Sequence, residues 1–431
     1  VTALPTARSE GLDPSRRAAP ERKPGRLDRR AWAALVAVTL LGAAPRLFRV
    51  WRRPLGLAWD ENYYVPAARS YLDHAFDVNL EHPPLGKWLV AAGIWLLGDE
   101  PMGWRLASVV AGIVTIPLVW FLARRLLGSI TWATVAAGFA ALDGLLIVQS
   151  RTALLDSMLP PLIVGATLAV LAHLDRAGRD RLTWPLALAG ALLGAAVACK
   201  WEAAPALLGA LGLWLAPPGR DRDVLRTAGV AFVLIPGVVY LASYAGPLIQ
   251  SGFDLPELVR TQIDAVNYHR TFRISHDRAS PAWSWLLLRS PPEYISESLD
   301  GRVAHLVALG NPVLWWGFVA CLPHLLVVWW RRRDRAVETV LFATLVLYGP
   351  WLLILRPGFL YYVTPLVPFM AIGLTYSLRA VWDRGGALRL VPGGVVLAAV
   401  LAFVAYVPLW TFSTVPQERF DLLTPFPDWG D

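Results

Sequence analysis

Charge is scarce in this sequence. Asp, Glu, Lys and Arg make up 17% of 431 residues, against 56% for the hydrophobic types. Soluble domains carry closer to a quarter charged residues and mix them with apolar ones at helical or strand periods. Here stretches of about 20 residues run almost without charge, the length a helix needs to cross a hydrocarbon core. Those runs also lack regular alternation and consist largely of Ala, Leu, Val and Gly, which excludes a transmembrane barrel. Cysteine is nearly absent: Cys199 and Cys321 both lie in or beside apolar segments, so no disulfide framework is implied. Internal repeats, heptads and a separable soluble domain are missing too. What remains is an all-α polytopic membrane protein built as one domain.

The formal charge of +8 does not point to nucleic acid. Its Arg residues sit beside the ends of the apolar runs, where cytoplasmic cations set membrane topology. Residues 1–30 are rich in Pro, Arg and Ala and read as a disordered basic cytoplasmic tail. The apolar run after them is too long for a signal-peptide core and lacks a small-residue cleavage site, so it reads as a retained anchor. Spans are expected at about 31–48, 103–126, 130–149, 157–174, 183–199, 203–217, 227–247, 311–331, 337–355, 359–379 and 389–411. With about eleven spans, the basic connections (Arg124–Arg125, 175–181, 219–226, 331–335 and 379–389) fall on the side of the N-terminal tail. The N-terminus is then cytoplasmic, and a C-terminal tail over 412–431 is extracytoplasmic.

The apolar stretch 83–98 opens with Pro83-Pro84 and carries Lys87, and is expected to lie outside as an interfacial or re-entrant helix. Two long external loops follow from this layout, about 49–102 and 248–310. The membrane domain spans 31–411. Aromatic residues crowd both loops (Trp59, Tyr63, Tyr64, Tyr71 and Trp88; Tyr268, Trp283, Trp285 and Tyr294), partly as interfacial belts.

Chemistry has few places to sit. Asp60-Glu61 follows the first span and opens an amphipathic stretch. Asp is a good N-cap, so a plain helix start is one reading. A surface base is the other, because a helix N-terminus keeps a carboxylate ionised and able to take a proton. Neighbouring helical residues point about 100° apart, so one of the two carboxylates would reach a reacting hydroxyl. His82-Pro83-Pro84-Leu85-Gly86-Lys87 combines an extended proline start with one of three lysines in the chain. Lys87 could equally snorkel from a turn. Arg105, Arg151, Asp156 and Lys200 lie at the external ends of spans, where ionisable groups are usually paired or functional. Arg151 with Asp156, and Lys200 with Glu202, could be structural ion pairs. Cations gathered on the face of Asp60 would suit the phosphate of a lipid-borne substrate. Arg356, in Arg356-Pro357-Gly358-Phe359-Leu360-Tyr361-Tyr362, allows either a phosphate contact or no chemistry at all.

Together these stretches resemble the bacterial protein O-mannosyltransferase family of the GT-C superfamily. The resemblance rests on Asp60-Glu61, His82 to Lys87, Arg105, Gln149-Ser150-Arg151 with Leu154-Leu155-Asp156, and Lys200-Trp201. Ser284-Trp285 with Pro291-Pro292, Gly310-Asn311-Pro312 with Trp315-Trp316, and Arg356 to Tyr362 complete the order from about residue 40 to 411. The His-Pro-Pro-Leu-Gly-Lys run is its most specific part.

The resemblance implies the GT-C fold, a polyprenyl-phosphate mannose donor, Ser or Thr acceptors, inversion at the sugar, and no metal or other cofactor. It implies Asp60 as base, with Glu61 beside it, and donor contacts from Arg105 together with His82, Lys87, Arg151, Asp156, Lys200, Arg356 and Tyr361. Tyr63-Tyr64 departs from the His-Phe common at that place, and segment 248–310 is too short for an inserted carbohydrate-binding domain. The expected setting is the plasma membrane, with the site on its extracytoplasmic face. Expected partners are the lipid-linked donor, membrane lipid and unfolded acceptors; docking to a protein secretion channel stays open. A related transferase acting on a lipid or polysaccharide would use the same base and cations. A transporter or flippase would place carboxylates near the midplane and show inverted repeats. Neither feature appears.

Overall fold

The computed structural model describes residues 27–429 except 53, 177–180, 217–222, 272–275, 300, 355–357 and 427–428. Nearly all of the basic tail expected over 1–30, and Arg356, therefore lie outside the described residues. The first helix, α1 (Arg29–Leu47), starts where Asp28 accepts a hydrogen bond from the Ala31 amide at 2.8 Å, meeting one of the unpaired donors of a helix start. Helices α2 (Glu61–Leu72) and α3 (Pro84–Leu97) precede α4 (Pro101–Leu127), which ends at Gly128 in the left-handed region. Then come α5 (Ile130–Ala141), α6 (Gly144–Ser150), α7 (Leu159–Leu174), α8 (Trp184–Cys199) and α9 (Pro205–Leu215). A π-helical turn over 230–234 joins α10 (Val224–Gly229) to α11 (Ile235–Ser243).

The segment that follows α11 contains α12 (Ala245–Gln250), α13 (Leu255–Thr271) and two strands, β1 (Glu293–Leu299) and β2 (Arg302–Val307). Helices α14 (Pro312–Arg332), α15 (Arg335–Leu353), α16 (Val367–Trp382) and α17 (Leu390–Trp410) follow, then β3 (Val415–Pro416) and α18 (Gln417–Leu423).

The chain is a mostly helical, multi-pass membrane protein. Among the described residues, seven helical runs are long and apolar enough to cross a membrane, and α5 with α6 forms a further pair bent by 60°. The expected straight span over 130–149 is thus broken. At the break, Asp143 caps α6 by accepting from the Leu146 amide at 3.0 Å, and it also accepts from Trp315 Nε1 at 2.8 Å. Buried Arg46 donates to the carbonyl of Ala141, at the end of α5. The expected spans over 183–199 and 203–217 correspond to α8 and the run Trp201–Leu215 through α9, both apolar and under 18 residues. The expected span over 359–379 begins as a 3-10 turn, Leu360–Leu366, and becomes α-helical only at Val367. Pro365 and Pro368 fit such a start but not a helix interior.

Helix α16 is buried along almost its whole length and forms the centre of the bundle. Helix α17 is the opposite: Leu390 is 76% exposed, and Leu397, Leu401 and Val404 also lie open, an apolar face that lipid would cover. With lipid as solvent, helices associate through close packing of small residues. Gly190 and Gly194 on α8 provide it. A Cβ at Gly190 would stand 2.2 Å from the Ala231 carbonyl oxygen, and one at Gly194 would stand 2.7 Å from Pro236.

An all-α description does not cover the whole chain. Strands β1, β2 and β3 form an antiparallel sheet in that order, with Ser296 facing His305, Ser298 facing Val303, and Val303 facing Val415. Described residues after 411 pack against neighbouring segments. Phe420 stacks on His305 at 3.8 Å, and Trp429 Nε1 donates to the Leu288 carbonyl at 2.7 Å.

Candidate active site

Asp60 sits at the start of α2, directly after Trp59, whose φ of +50° is left-handed. A non-glycine residue there costs roughly 1–3 kcal/mol and persists only where its surroundings over-determine it. Glu61 does so. Its Oε2 accepts from the Ala58 amide at 2.8 Å and its Oε1 from the Ala153 amide at 2.7 Å. Arg105 adds two bonds, Nε to Oε1 at 2.8 Å and Nη2 to Oε2 at 2.9 Å. Both Glu61 oxygens are occupied, and the side chain is fully buried. Asp60, by contrast, makes no cap bond to its own helix. The sequence leaves the two carboxylates equivalent; the structure separates them into an open one and a tethered one.

The Asp60 carboxylate points into an aromatic enclosure. Tyr361 and Tyr64 hydroxyls donate to its Oδ2 over long distances of 3.4 and 3.5 Å, and Trp59 Nε1 donates to the Tyr361 hydroxyl at 3.2 Å. The Trp59 ring stacks on Tyr294 at 5.2 Å and meets His276 and Phe359 edge-on at 5.0 and 5.3 Å. Lys200 closes the other side. Its ammonium lies 2.9 and 2.8 Å from the Asp156 oxygens and 3.2 Å from Glu202, over the rings of Tyr361 and Tyr362. Enclosure by protein raises the Asp60 pKa to about 6, and Asp156 adds to the rise; Lys200 and the two tyrosine hydroxyls oppose it. Part of the Asp60 surface is still accessible. Such a carboxylate is ionised at neutral pH yet basic enough to accept a proton.

His82 reaches the same enclosure. Its ring meets Tyr64 at 5.7 Å and His269 at 5.5 Å, and Nδ1 is buried without a hydrogen-bond partner among the described residues. Burial, with Lys200 and then His269 and Lys87 adding positive charge, holds the imidazole well below its ordinary pKa, so it stays neutral.

Three expected donor contacts are placed elsewhere. Lys87 spends its ammonium on Asp77 at 2.5 Å, the His82 carbonyl at 2.8 Å and the Asn79 carbonyl. Arg105, beyond Glu61, donates to the carbonyls of Val50, Pro54 and Gly56 at 3.3, 2.8 and 3.2 Å. Arg151 donates to the carbonyls of Pro45 and Phe48 at the end of α1 and of Thr411 at the end of α17, at 2.7, 2.8 and 3.1 Å. All three are buried, where a cation's donors must find partners inside the protein. Their donors meet protein groups, and they gather the segments around Asp60. Of the candidate site residues singled out in the sequence, the structure brings Asp60, Tyr361, Lys200, Asp156 and His82 together, and it adds Tyr64, Tyr294, His276 and Phe359, which are not among them. Tyr294 stands just after Pro291-Pro292, but an interfacial belt accounts for an external tyrosine equally well.

Comparison with known proteins bears on this arrangement. Residues 81–244 match the family model described as dolichyl-phosphate-mannose-protein mannosyltransferase. A polyprenol-phosphate-mannose--protein mannosyltransferase of Corynebacterium glutamicum is 27% identical over 502 aligned positions, covering 96% of this chain and 95% of that protein. Over almost its whole length the chain is therefore similar to proteins described as protein O-mannosyltransferases. A second relative, from Mycobacterium tuberculosis and bearing the same description, is 28% identical over 94% of this chain and 93% of its own length. The S. cerevisiae protein O-mannosyltransferase Pmt1-Pmt2 complex, solved with its sugar donor, superposes with a TM-score of 0.81 over 94% of this chain and 93% of that one, at 13% identity. The fold is therefore the GT-C fold, carried here with little shared sequence.

Proposed function

We propose that this transferase moves mannose from polyprenyl-phosphate mannose to Ser or Thr hydroxyls of polypeptides, with Asp60 as the base. The observation that carries this reading is the contrast between adjacent carboxylates. Glu61 is saturated by four donors, whereas Asp60 faces an aromatic enclosure and, among the described residues, accepts two long tyrosine contacts.

The acceptor oxygen attacks C1 of the mannose from the side opposite the phosphate. The bond from C1 to the phosphate oxygen breaks, its electron pair leaves with the lipid phosphate, and the hydroxyl proton passes to Asp60. Configuration at C1 inverts. The leaving group is already a stable anion, so no second carboxylate is required as general acid, unlike in glycosidases that expel an alcohol. Trp59, Tyr294 and Tyr361 offer flat faces for the sugar and keep water away. Lys200 is the cation that acts on Asp60 through space, and a donor phosphate arriving there would share it with Asp156 and Glu202. His82 Nδ1, buried and without a partner among the described residues, suits a sugar hydroxyl. No metal or other cofactor enters this chemistry. The setting we propose is the plasma membrane, with Asp60 on the extracytoplasmic side, where secreted chains pass while still unfolded.

The test compares purified wild type with Asp60→Asn on polyprenyl-phosphate mannose and a Ser/Thr-rich peptide. Transfer by the wild type and its loss in a folded variant is expected. Full activity in the variant would remove Asp60 as base. Consumption of donor only with a lipid or glycan acceptor would replace the protein acceptor.

A further inference from the structure

Strand β1 leaves the active site and ends at the surface. Its second residue, Tyr294, is buried and stacks on Trp59 beside Asp60, whereas Ser296, Glu297 and Ser298 are exposed. In the sheet β1 has one neighbouring strand, β2, and its other edge has no strand against it among the described residues. Proteins normally protect an exposed edge, because its unpaired amide and carbonyl groups are a template for another chain. A strand rises about 3.3 Å per residue, so Ser296 lies roughly 7 Å along the chain from Tyr294.

The register says which groups face outward. Leu299 and Arg302 face each other across two intervening residues, so they close the hairpin as a hydrogen-bonded pair. Bonded and non-bonded pairs alternate along an antiparallel ladder. The pairs Ser298 with Val303 and Ser296 with His305 alternate accordingly, and Ser298 and Ser296 turn their backbone groups away from β2. Val303, the partner of Ser298, turns outward on the opposite side and there meets Val415 of β3, as this alternation requires.

We infer that the open edge of β1 is the docking site for the acceptor polypeptide, which adds as an extended strand on the amide and carbonyl groups of Ser296 and Ser298 and so delivers its next Ser or Thr toward Trp59 and Asp60. This rests on the protein-acceptor reading above and adds a means of recognition. Main-chain pairing accepts any side-chain sequence and requires an extended segment, as in other cases of strand addition. The exposed serines on β1 offer no bulk to obstruct it. A folded acceptor, whose own backbone groups are already paired, could not bind this way.

The test uses the purified full-length enzyme, polyprenyl-phosphate mannose and a Ser-containing peptide N-methylated at one backbone position at a time. A strand presents alternate amides to its neighbour, so methylation at positions of one parity is expected to raise the peptide KM about tenfold, a typical loss for one hydrogen bond and its geometry. The other parity should leave it unchanged. Ser296→Pro and Ser298→Pro remove an outward N–H while sparing the ladder to β2. They should raise the peptide KM similarly, leaving the donor KM and the turnover of N-acetylserinamide, which is too short to form a strand, as in the wild type. Equal responses at both parities would overturn the inference, as would proline variants that turn over N-acetylserinamide normally and keep the wild-type peptide KM. Failure to mannosylate any peptide would overturn the protein-acceptor reading itself. The methylation series requires no variant to fold.

Discussion

Glu61 and Arg105 meet in a two-pronged, fully buried ion pair, with Nε 2.8 Å from Oε1 and Nη2 2.9 Å from Oε2. The pair joins the start of α2 to α4 and, through the Arg105 bonds to Val50, Pro54 and Gly56, gathers the loop that precedes Asp60. Removing one partner leaves the other as an uncompensated buried charge. Arg105→Leu is therefore expected to destabilise the protein by about 3–5 kcal/mol, while Arg105→Leu with Glu61→Leu recovers part of that loss. Thermal unfolding in detergent checks it; additive losses in the double variant would show that the pair is not the coupling element.

Asp60 carries the pH dependence. With a pKa of about 6, it should make kcat/KM fall tenfold per pH unit once the pH drops well below 6, with a plateau above. Asp60→Asn should lower kcat about 10²–10⁴-fold and abolish that limb. The stability effect has the opposite sign. The folded pKa lies above the unfolded carboxylate value, so folding binds a proton between about pH 4 and 6, and stability declines as pH rises through that window. At neutral pH Asp60→Asn should thus unfold at a higher temperature than wild type. A lower melting temperature would mean that the carboxylate also has a structural role.

Tyr361 links the base to its surroundings, donating to Asp60 and accepting from Trp59. Tyr361→Phe keeps the ring over Lys200 and removes one hydrogen bond that favours the charged carboxylate. The acid limb of the rate profile should move to higher pH, with kcat at pH 8 within about tenfold of wild type. An unshifted limb would separate Tyr361 from the titrating group.

Lys200 holds two carboxylates, Asp156 and Glu202, and lowers the Asp60 pKa through space. Lys200→Met should raise the acid limb further than Tyr361→Phe does and cost about 3–5 kcal/mol of stability. Combining Lys200→Met with Asp156→Asn should restore part of the stability. A Lys200→Met protein as stable as wild type would show the pair to be solvated.

Helix positions were legible because the bilayer imposes a strong and local rule: a run of apolar residues long enough to cross must be helical. The bend after Ala141 was not legible, since it depends on Arg46 and Asp143 meeting groups from distant segments. The sheet escaped notice for a similar reason. Its strands are short, and the third follows more than a hundred residues after the second.

That the chain is a polytopic membrane enzyme with its candidate chemistry at the ends of its spans could be read from the sequence by itself, because hydrophobic run length, basic flanks and the His82–Lys87 motif are all local. Which ionisable groups are tied up by protein partners became visible in the packing. Adjacent carboxylates look alike in sequence, yet Glu61 turns to Arg105 and Asp60 turns to Tyr361. Lysines and arginines at span ends look like phosphate ligands until their donors are counted against the carbonyls around them. A buried charge takes its role from partners that are near in space and far along the chain, and those are set by packing.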